Sequence, residues 1–191
     1  YTVCRYVSVS GDRSILDLRA KWLISSPLKS GENERYETPE VSLESSSVLR
    51  HCIEAIELVI RRGAGRHGLC LILSGDWNDG MNLIGAEGHG ESVWLTWFFI
   101  TVLEEFAELI HPLLPDKSRE YTALAKSLTH ACQSAWNKDR YIRAYYDDGT
   151  PLGEKGGCAI DAIAQAFSAF PRHRNEERVK TALNTAVKEL Y

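Results

Sequence analysis

The sequence predicts an all-α fold of stacked αα-hairpins in two layers, with very little strand. Three observations carry this. Residues 45–62 place Val48, Leu49, Cys52, Ile53, Ile56, Val59 and Ile60 at helical spacing, the pattern of a helix with one buried face. Residues 92–110 are apolar on nearly every side, with Trp94, Trp97, Phe98 and Phe99 among them, as in a helix covered all round. The connections are rich in glycine and show almost no two-residue alternation. Amphipathic helices that alternate with all-round apolar ones read as an outer and an inner layer.

In chain order, residues 1–9 read as the end of an element begun upstream. A helix is expected from Asp12, a cap position, with Ile15, Leu18, Trp22 and Leu23 on one face and Ser25-Ser26-Pro27 as its stop. Residues 29–44 are polar, contain Gly31 and Pro39, and have no period. That is a long connecting loop, of a kind that compact domains keep mainly for function. The helix from about residue 45 ends at Arg61-Arg62-Gly63, a cationic last turn followed by a stop. The apolar helix 92–110 closes at His111-Pro112, and residues 116–136 repeat the amphipathic pattern through Tyr121, Leu124, Leu128 and Cys132. Residues 141–146 alternate and meet Asp147-Asp148-Gly149, a hairpin-like turn. Gly156-Gly157 opens into a helix with Ile160, Ile163, Ala164 and Phe167 inward. Asn175 caps a last helix that has Glu176 and Glu177 in its first turn and Val179, Leu183, Val187 and Leu190 as its stripe.

Composition bounds the function. At 191 residues, 44% hydrophobic and 25% charged, the chain is ordinary globular material, enough for one domain with a substantial core. A net charge of -4 leaves no global basic footprint for nucleic acid. No uncharged apolar run reaches the ~18 residues of a spanning helix, and no signal peptide is visible. The expected location is cytoplasmic. Tyr1 opens on folded-looking sequence without an initiator Met, which implies a piece of a longer parent chain. The five cysteines, Cys4, Cys52, Cys70, Cys132 and Cys158, are widely spaced and read as free thiols, not as zinc ligands.

The chemistry concentrates in Gly75-Asp76-Trp77-Asn78-Asp79-Gly80-Met81-Asn82. Two carboxylates, two carboxamides and an indole between glycines suit a shaped loop that receives a sugar. The ring face stacks on a pyranose, the amides and one acid hold hydroxyls, and the other acid donates a proton. The same residue types also serve as turns and helix caps that hydrogen-bond their own backbone. Asp76, Asn78 and Glu87 fall at positions one, three and twelve of a calcium loop. Gly80 and Met81 break that pattern at positions five and six, so no metal is expected.

With these motifs quoted, a family resemblance can be stated. His67-Gly68-Leu69, the loop 75–82, and Gly90-Glu91-Ser92-Val93-Trp94-Leu95 together resemble glycoside hydrolase family 94, the inverting phosphorylases of β-linked glucosides. The Gly-Met-Asn after the acids and the 87–95 stretch look most like the phosphorylase-like domains of cyclic β-1,2-glucan synthases and of β-1,2-oligoglucan phosphorylases. Residues 143–153 and 160–165 match the family's following segments, so the likeness runs from about Gly11 to Phe170.

The resemblance implies a segment, residues 1–191, of a single (α/α)6-barrel catalytic domain. The family's N-terminal β-sandwich, remaining barrel helices and phosphate-binding segment would lie elsewhere in the parent. It further implies that Asp79 is the proton donor and that Trp77 lines the donor-sugar subsite. The implied partners are a β-glucan oligosaccharide, inorganic phosphate as co-substrate and the rest of the parent chain. No cofactor is implied, and a homo-oligomer is compatible with it. If the parent is a cyclic glucan synthase, it would be associated with the inner membrane. An inverting hydrolase needs a second carboxylate to activate water. A phosphorylase uses an anion as nucleophile, so one positioned acid, worth roughly 10²–10⁴-fold, can suffice. The residues 156–161 lack the acidic and basic groups usual before Ile-Asp in the family, and a 191-residue chain by itself is expected to be inactive.

Other candidates read two ways. Asp76 and Asn78 are placed with Trp77 as sugar-binding groups, or as turn residues. Glu91 either reaches the site or sits at the N-terminus of the 92–110 helix. Asp161 and Gln165 are i,i+4 on one helix face, directed into a pocket or into solvent; Gln165 is taken as substrate-binding. Arg143, among tyrosines, holds an anion or a sugar, or forms a cross-strand pair. His67 and His89 have no carboxylate partner visible in the sequence and receive no role. A non-catalytic glucan-binding module and a purely structural helical module remain the alternatives to an enzyme.

Overall fold

The structure is a computed structural model, and it describes residues 1–29, 32, 34–154 and 158–191. It divides into two compact units, Thr2–Arg62 and Tyr1 with Gly63–Tyr191.

In the smaller unit, α1 (Thr2–Ser10) is followed by a 3₁₀ turn (Ser14–Asp17), β1 (Arg19–Ile24), β2 (Glu40–Ser47) and α2 (Val48–Arg62). Asp12 initiates the turn by accepting from both the amide and the hydroxyl of Ser14. β1 and β2 pair antiparallel, with Arg19 opposite Ser47 and Leu23 opposite Val41, and the register shifts between Lys21 and Leu23. The helix expected from Asp12 through Leu23 is therefore wrong after its first turn. Trp22 turns towards α2 and its ring lies 3.6 Å from that of His51, while Leu23 and Ile24 remain exposed. What decides for strand is a backbone partner some twenty residues away, which a local period cannot register. The loop expected over 29–44 likewise gives up Glu40 and its successors to β2; Gly31 lies outside the described residues. α2 matches its expected helix, with Ile53 and Ile56 buried and Arg61 and Arg62 in the last turn.

The larger unit is built on α3 (Val93–Ile110), twelve of whose eighteen residues are buried, as an all-round apolar helix should be. Trp97, Ile100, Leu103 and Ile110 are fully covered. Leu114 and Pro115 end the short turn back into α4 (Pro115–Ser134), and the Ser118 hydroxyl crosses the seam to the Ala107 carbonyl at 2.8 Å. The expected helices at 45–62, 92–110 and 116–136 are thus present within a few residues. Asn175 caps α6 (Glu176–Leu190) by accepting from the Arg178 amide, also as expected. α5 (Ala162–Phe167) is short and capped by Asp161; Gly156 and Gly157, read as its opening, lie outside the described residues.

Between the helices run strands of two residues each. β3 (Glu91–Ser92), β6 (Ala144–Tyr145) and β7 (Pro151–Leu152) form one sheet in the order β3-β6-β7. β4 (Trp136–Asn137) pairs with β5 (Arg140–Tyr141). The expected turn at Asp147-Asp148-Gly149 joins β6 to β7, with Tyr145 opposite Pro151. Among the described residues, helix accounts for about 49% and strand for 15%, in three sheets. The all-α expectation of stacked αα-hairpins forming part of an (α/α)6 barrel with very little strand is corrected accordingly: the fold class is mixed α/β. Two-residue strands carry no alternation, since that signal needs four residues or more. They exist because two backbone segments meet, which is a tertiary event. Among the described residues, no helix is long and apolar enough to cross a membrane.

Among the described residues no disulfide joins the five cysteines, and Cys4, Cys70 and Cys132 are buried. Burial pushes the Cys70 thiol up to about 11, with the Thr96 hydroxyl opposing and the Glu91 charge adding to it. Burial likewise lifts the Tyr141 phenol to about 12. Both groups keep their protons longer folded than unfolded. Their stabilising contribution is complete below the ordinary thiol value of 9.0 and is lost as pH rises through 11 and beyond. Urea unfolding should therefore show stability flat from about pH 7 to 8. Cys70 alone removes about 2–3 kcal/mol by about pH 11, at ~1.4 kcal/mol per unit. Cys70→Ser, which does not titrate there, should flatten that slope. An unchanged slope would remove Cys70 from the account.

Candidate functional site

Residues 69–72 bring the chain towards the glycine-rich loop, held from both sides, and Leu73 turns it with a φ of 56°. Leu71 bridges Glu91 and Cys70 bridges Ala64, while the Ile72 amide donates to Gly90 and that of Ser92 to Cys70. Gly90 is required by close approach. A Cβ there would fall inside contact distance of the Ile84 carbonyl and the Gly85 Cα, both backbone atoms that cannot swing aside.

The loop itself is locally coded. Asp76 Oδ1 accepts from the Asn78 amide at 3.0 Å, and Asn78 Oδ1 from that of Gly80 at 3.1 Å. Asn78 thereby caps a 3₁₀ turn, Asp79–Met81, so the capping role weighed for these residues is real. Two anchors then tie the loop down. Met81 packs on the cluster of Ile72, Ile84 and Ala144. Asp76, with its side chain 1% exposed, gives Oδ1 to Arg143 Nη2 at 2.5 Å and Oδ2 to the Trp94 indole N–H at 3.0 Å.

With Asp76 and Met81 drawn inward, Trp77, Asn78 and Asp79 are left on the outside. Trp77 is 80% exposed and Asp79 is exposed. Among the described residues, no side-chain hydrogen bond or ion pair holds the Asp79 carboxylate. The structure thus separates the two acids of the motif. Asp76 accepts from three donors within the fold, whereas the Asp79 side chain is exposed.

Three of the expected sugar-binding side chains have partners within the fold. Asp76 accepts from the Asn78 amide, Arg143 and the Trp94 indole. Glu91 is 1% exposed and accepts from the amides of His67 and Leu69, both at 3.0 Å, and pairs with His67 Nδ1 at 2.6 Å. A buried carboxylate must be satisfied in this way. Gln165, fully buried, clasps both the amide and the carbonyl of Tyr141 at 2.8 Å, as an extra rung beside β5. Asn78 uses its Oδ1 as a cap. The calcium pattern fails on geometry as well, because Asp76 is already bound to a guanidinium.

Several contributors were not legible beforehand. His67, without a visible partner in the sequence, meets Glu91 from 24 residues away and stacks on Tyr145 with ring centroids 3.6 Å apart. Asp147, read only as a turn residue, accepts from the amides of Glu87, His89 and Gly90 at 3.0, 2.7 and 2.8 Å. Burial works to raise its pKa, but these three donors and the nearby His89 outweigh it and hold the carboxyl below its ordinary range. Asp147 therefore stitches residues 87–90, which leave the loop, to the β6–β7 turn. No spacing rule would have found these pairs.

The loop is thus locked from below and presents Trp77, Asn78 and Asp79 to solvent. The family follows from comparison. The model for the catalytic domain of the glycosyl hydrolase 94 superfamily matches residues 8–191, and the chain belongs to that family. The chain is 39% identical over its full length to the cyclic β-(1,2)-glucan synthase NdvB of Rhizobium meliloti (strain 1021), of which it covers 7%. It is 30% identical to the N,N'-diacetylchitobiose phosphorylase of Vibrio proteolyticus over 94% of the chain and 23% of that protein. With the solabiose phosphorylase of Paenibacillus borealis it shares 34% identity over 61% of the chain and 16% of that protein. The chain thus spans less than a quarter of the length of these relatives.

Proposed function

We propose that this chain supplies the acid-bearing loop of an inverting phosphorylase, or of the reverse synthetic reaction, acting on a β-linked glucan. The observation that carries the reading is the division of labour in the loop: Asp76 is bound to Arg143 and Trp94, while Asp79 stands open beside the exposed Trp77. An open acid beside an exposed ring suits a pyranose stacked on Trp77 with its glycosidic oxygen within reach of Asp79. Phosphate attacks the anomeric carbon from the opposite face, the bond to the leaving oxygen breaks, and Asp79 gives that oxygen a proton. The products are an α-glycosyl phosphate and a glucan one unit shorter. Because Asp76 is not available to activate water, the loop offers an acid and no base. That is what an anionic nucleophile requires, and it is not what inverting hydrolysis requires.

The likeness to a cyclic β-(1,2)-glucan synthase supports β-1,2-glucan as the substrate, with phosphate as co-substrate and no cofactor. The test uses the full-length parent. It is incubated with β-1,2-gluco-oligosaccharides with and without phosphate, and α-glucose 1-phosphate is measured. Phosphate-dependent release is expected. Phosphate-independent release of glucose, or glucan binding by calorimetry with no turnover, would sink the proposal.

A further inference from the structure

Arg143 is among the largest side chains in the protein that are wholly withdrawn from solvent. Its three nitrogens reach three different segments. Nη2 meets Asp76 at 2.5 Å, Nε meets Asp161 Oδ2 at 3.1 Å, and Nη1 meets Ser92 Oγ at 3.4 Å. Each partner is itself an organiser. Ser92 caps α3 through the Leu95 amide, Asp161 caps α5 through the amides of Ile163 and Ala164, and Asp76 opens the loop and holds the Trp94 indole. The backbone of Arg143 is fixed as well: its amide donates to Leu152 and its carbonyl accepts from Val93.

A cation beside the N-terminus of α3 is unfavourable by itself, since that end carries partial positive charge. Two carboxylates around one guanidinium reverse the sign of the cluster, and with Ser92 they give each of its three nitrogens an acceptor. Buried ion pairs are poor sources of net stability, and their best-attested use is to fix register. Here the thing registered is the start of the loop that carries Trp77 and Asp79.

We infer that Arg143 is a positioning residue that sets the acid-bearing loop, through Asp76, against the starts of α3 and α5. Asp76 acts with it, and neither touches the sugar. The loop is locally coded for its turns but not for its direction. Asn78 and Gly80 make the turn, and the arginine fork aims it. Lysine cannot replace the fork, because an ammonium is a point charge that cannot span three separated oxygens. The consequence for turnover rests on Asp79 being the proton donor; the consequence for the loop does not.

The experiment uses the full-length parent with Arg143→Lys, Asp76→Asn, the double variant and Ser118→Ala. The last removes a buried hydrogen bond in the α3–α4 seam, away from the loop. Hydrogen exchange by mass spectrometry follows peptides covering residues 74–84 and those covering α4, and phosphorolysis is measured alongside. In both single variants, exchange over 74–84 should rise roughly tenfold or more while α4 is unchanged, because a loop freed at one end opens locally. Turnover should fall roughly tenfold or more, as misplacement of a catalytic group does. An activated aryl glucoside should not restore it, because the Trp77 platform has moved with the acid. The double variant should lose no more than the worse single one, the signature of residues acting as a unit. Unchanged exchange over 74–84, or additive losses in the double variant, overturns the inference. If Arg143→Lys does not fold, Asp76→Asn decides by the same exchange readout. If the wild-type parent shows no phosphorolysis, the proposed function falls while exchange still decides the role of Arg143.

Discussion

Asp79→Asn in the full-length parent lowers kcat for phosphorolysis by roughly 10²-fold or more, while glucan binding stays within about threefold. The amide keeps the size and the hydrogen-bonding reach of the carboxyl but has no proton to give to the departing oxygen. Since no side chain among the described residues leans on Asp79, the substitution should leave the melting temperature and the exchange of residues 74–84 as in the wild type. That separates it from Asp76→Asn, which disturbs the loop and should be milder in turnover. A substrate with a good leaving group, such as an activated aryl glucoside or a glucosyl fluoride run in the synthetic direction, needs little protonation and should partly rescue Asp79→Asn. The measurement is kcat for both variants on ordinary and activated substrates. A dead Asp76→Asn beside a normal Asp79→Asn would show the roles to be reversed.

Glu91→Ala should be the most damaging single change to the stability of the segment that precedes the loop. The carboxylate is 1% exposed and serves the amides of His67 and Leu69 and the ring of His67. Removing it leaves buried donors unpaired, at a cost of about 3–5 kcal/mol. In a chain of this length that corresponds to a fall of about 10 °C in Tm. Glu91→Gln keeps one acceptor but turns an N–H towards the donors, so it should fall between Ala and wild type. His67→Ala removes only the ring, which is partly exposed, and should lose about 1 kcal/mol. Thermal and urea unfolding of the three variants checks the order. Equal losses for Glu91→Ala and His67→Ala would mean that the ring, and not the backbone donors, is what Glu91 serves.

The helices of the larger unit were legible because their information is local. Residues 92–110 are apolar on every side and can only be a covered helix, and Asn175 with Glu176 and Glu177 spells a helix start within three residues. The loop was legible for the same reason. Asp76, Asn78, Gly80 and Gly90 encode turns and close approaches that depend on their own neighbours. The family motif around them pointed to Asp79 and Trp77, both of which are exposed.

The sequence by itself therefore determined where the helices run, that 75–82 is a shaped loop rich in the groups a sugar site uses, and to which family it belongs. Tertiary structure alone decided the rest. β1 and β2 exist because residues 19–24 and 40–47 meet across a connection with no period. The two-residue strands β3 to β7 are too short to carry one. For Glu91, Gln165 and Asp76 the sequence is silent on direction, because a polar side chain beside a site motif has the same letter whether it faces a ligand or the interior. Which way each one faces is fixed by partners distant in sequence: His67 for Glu91, the backbone of Tyr141 for Gln165, and Arg143 for Asp76. A buried polar group must be satisfied, and that requirement can be read only once the chain has closed around it.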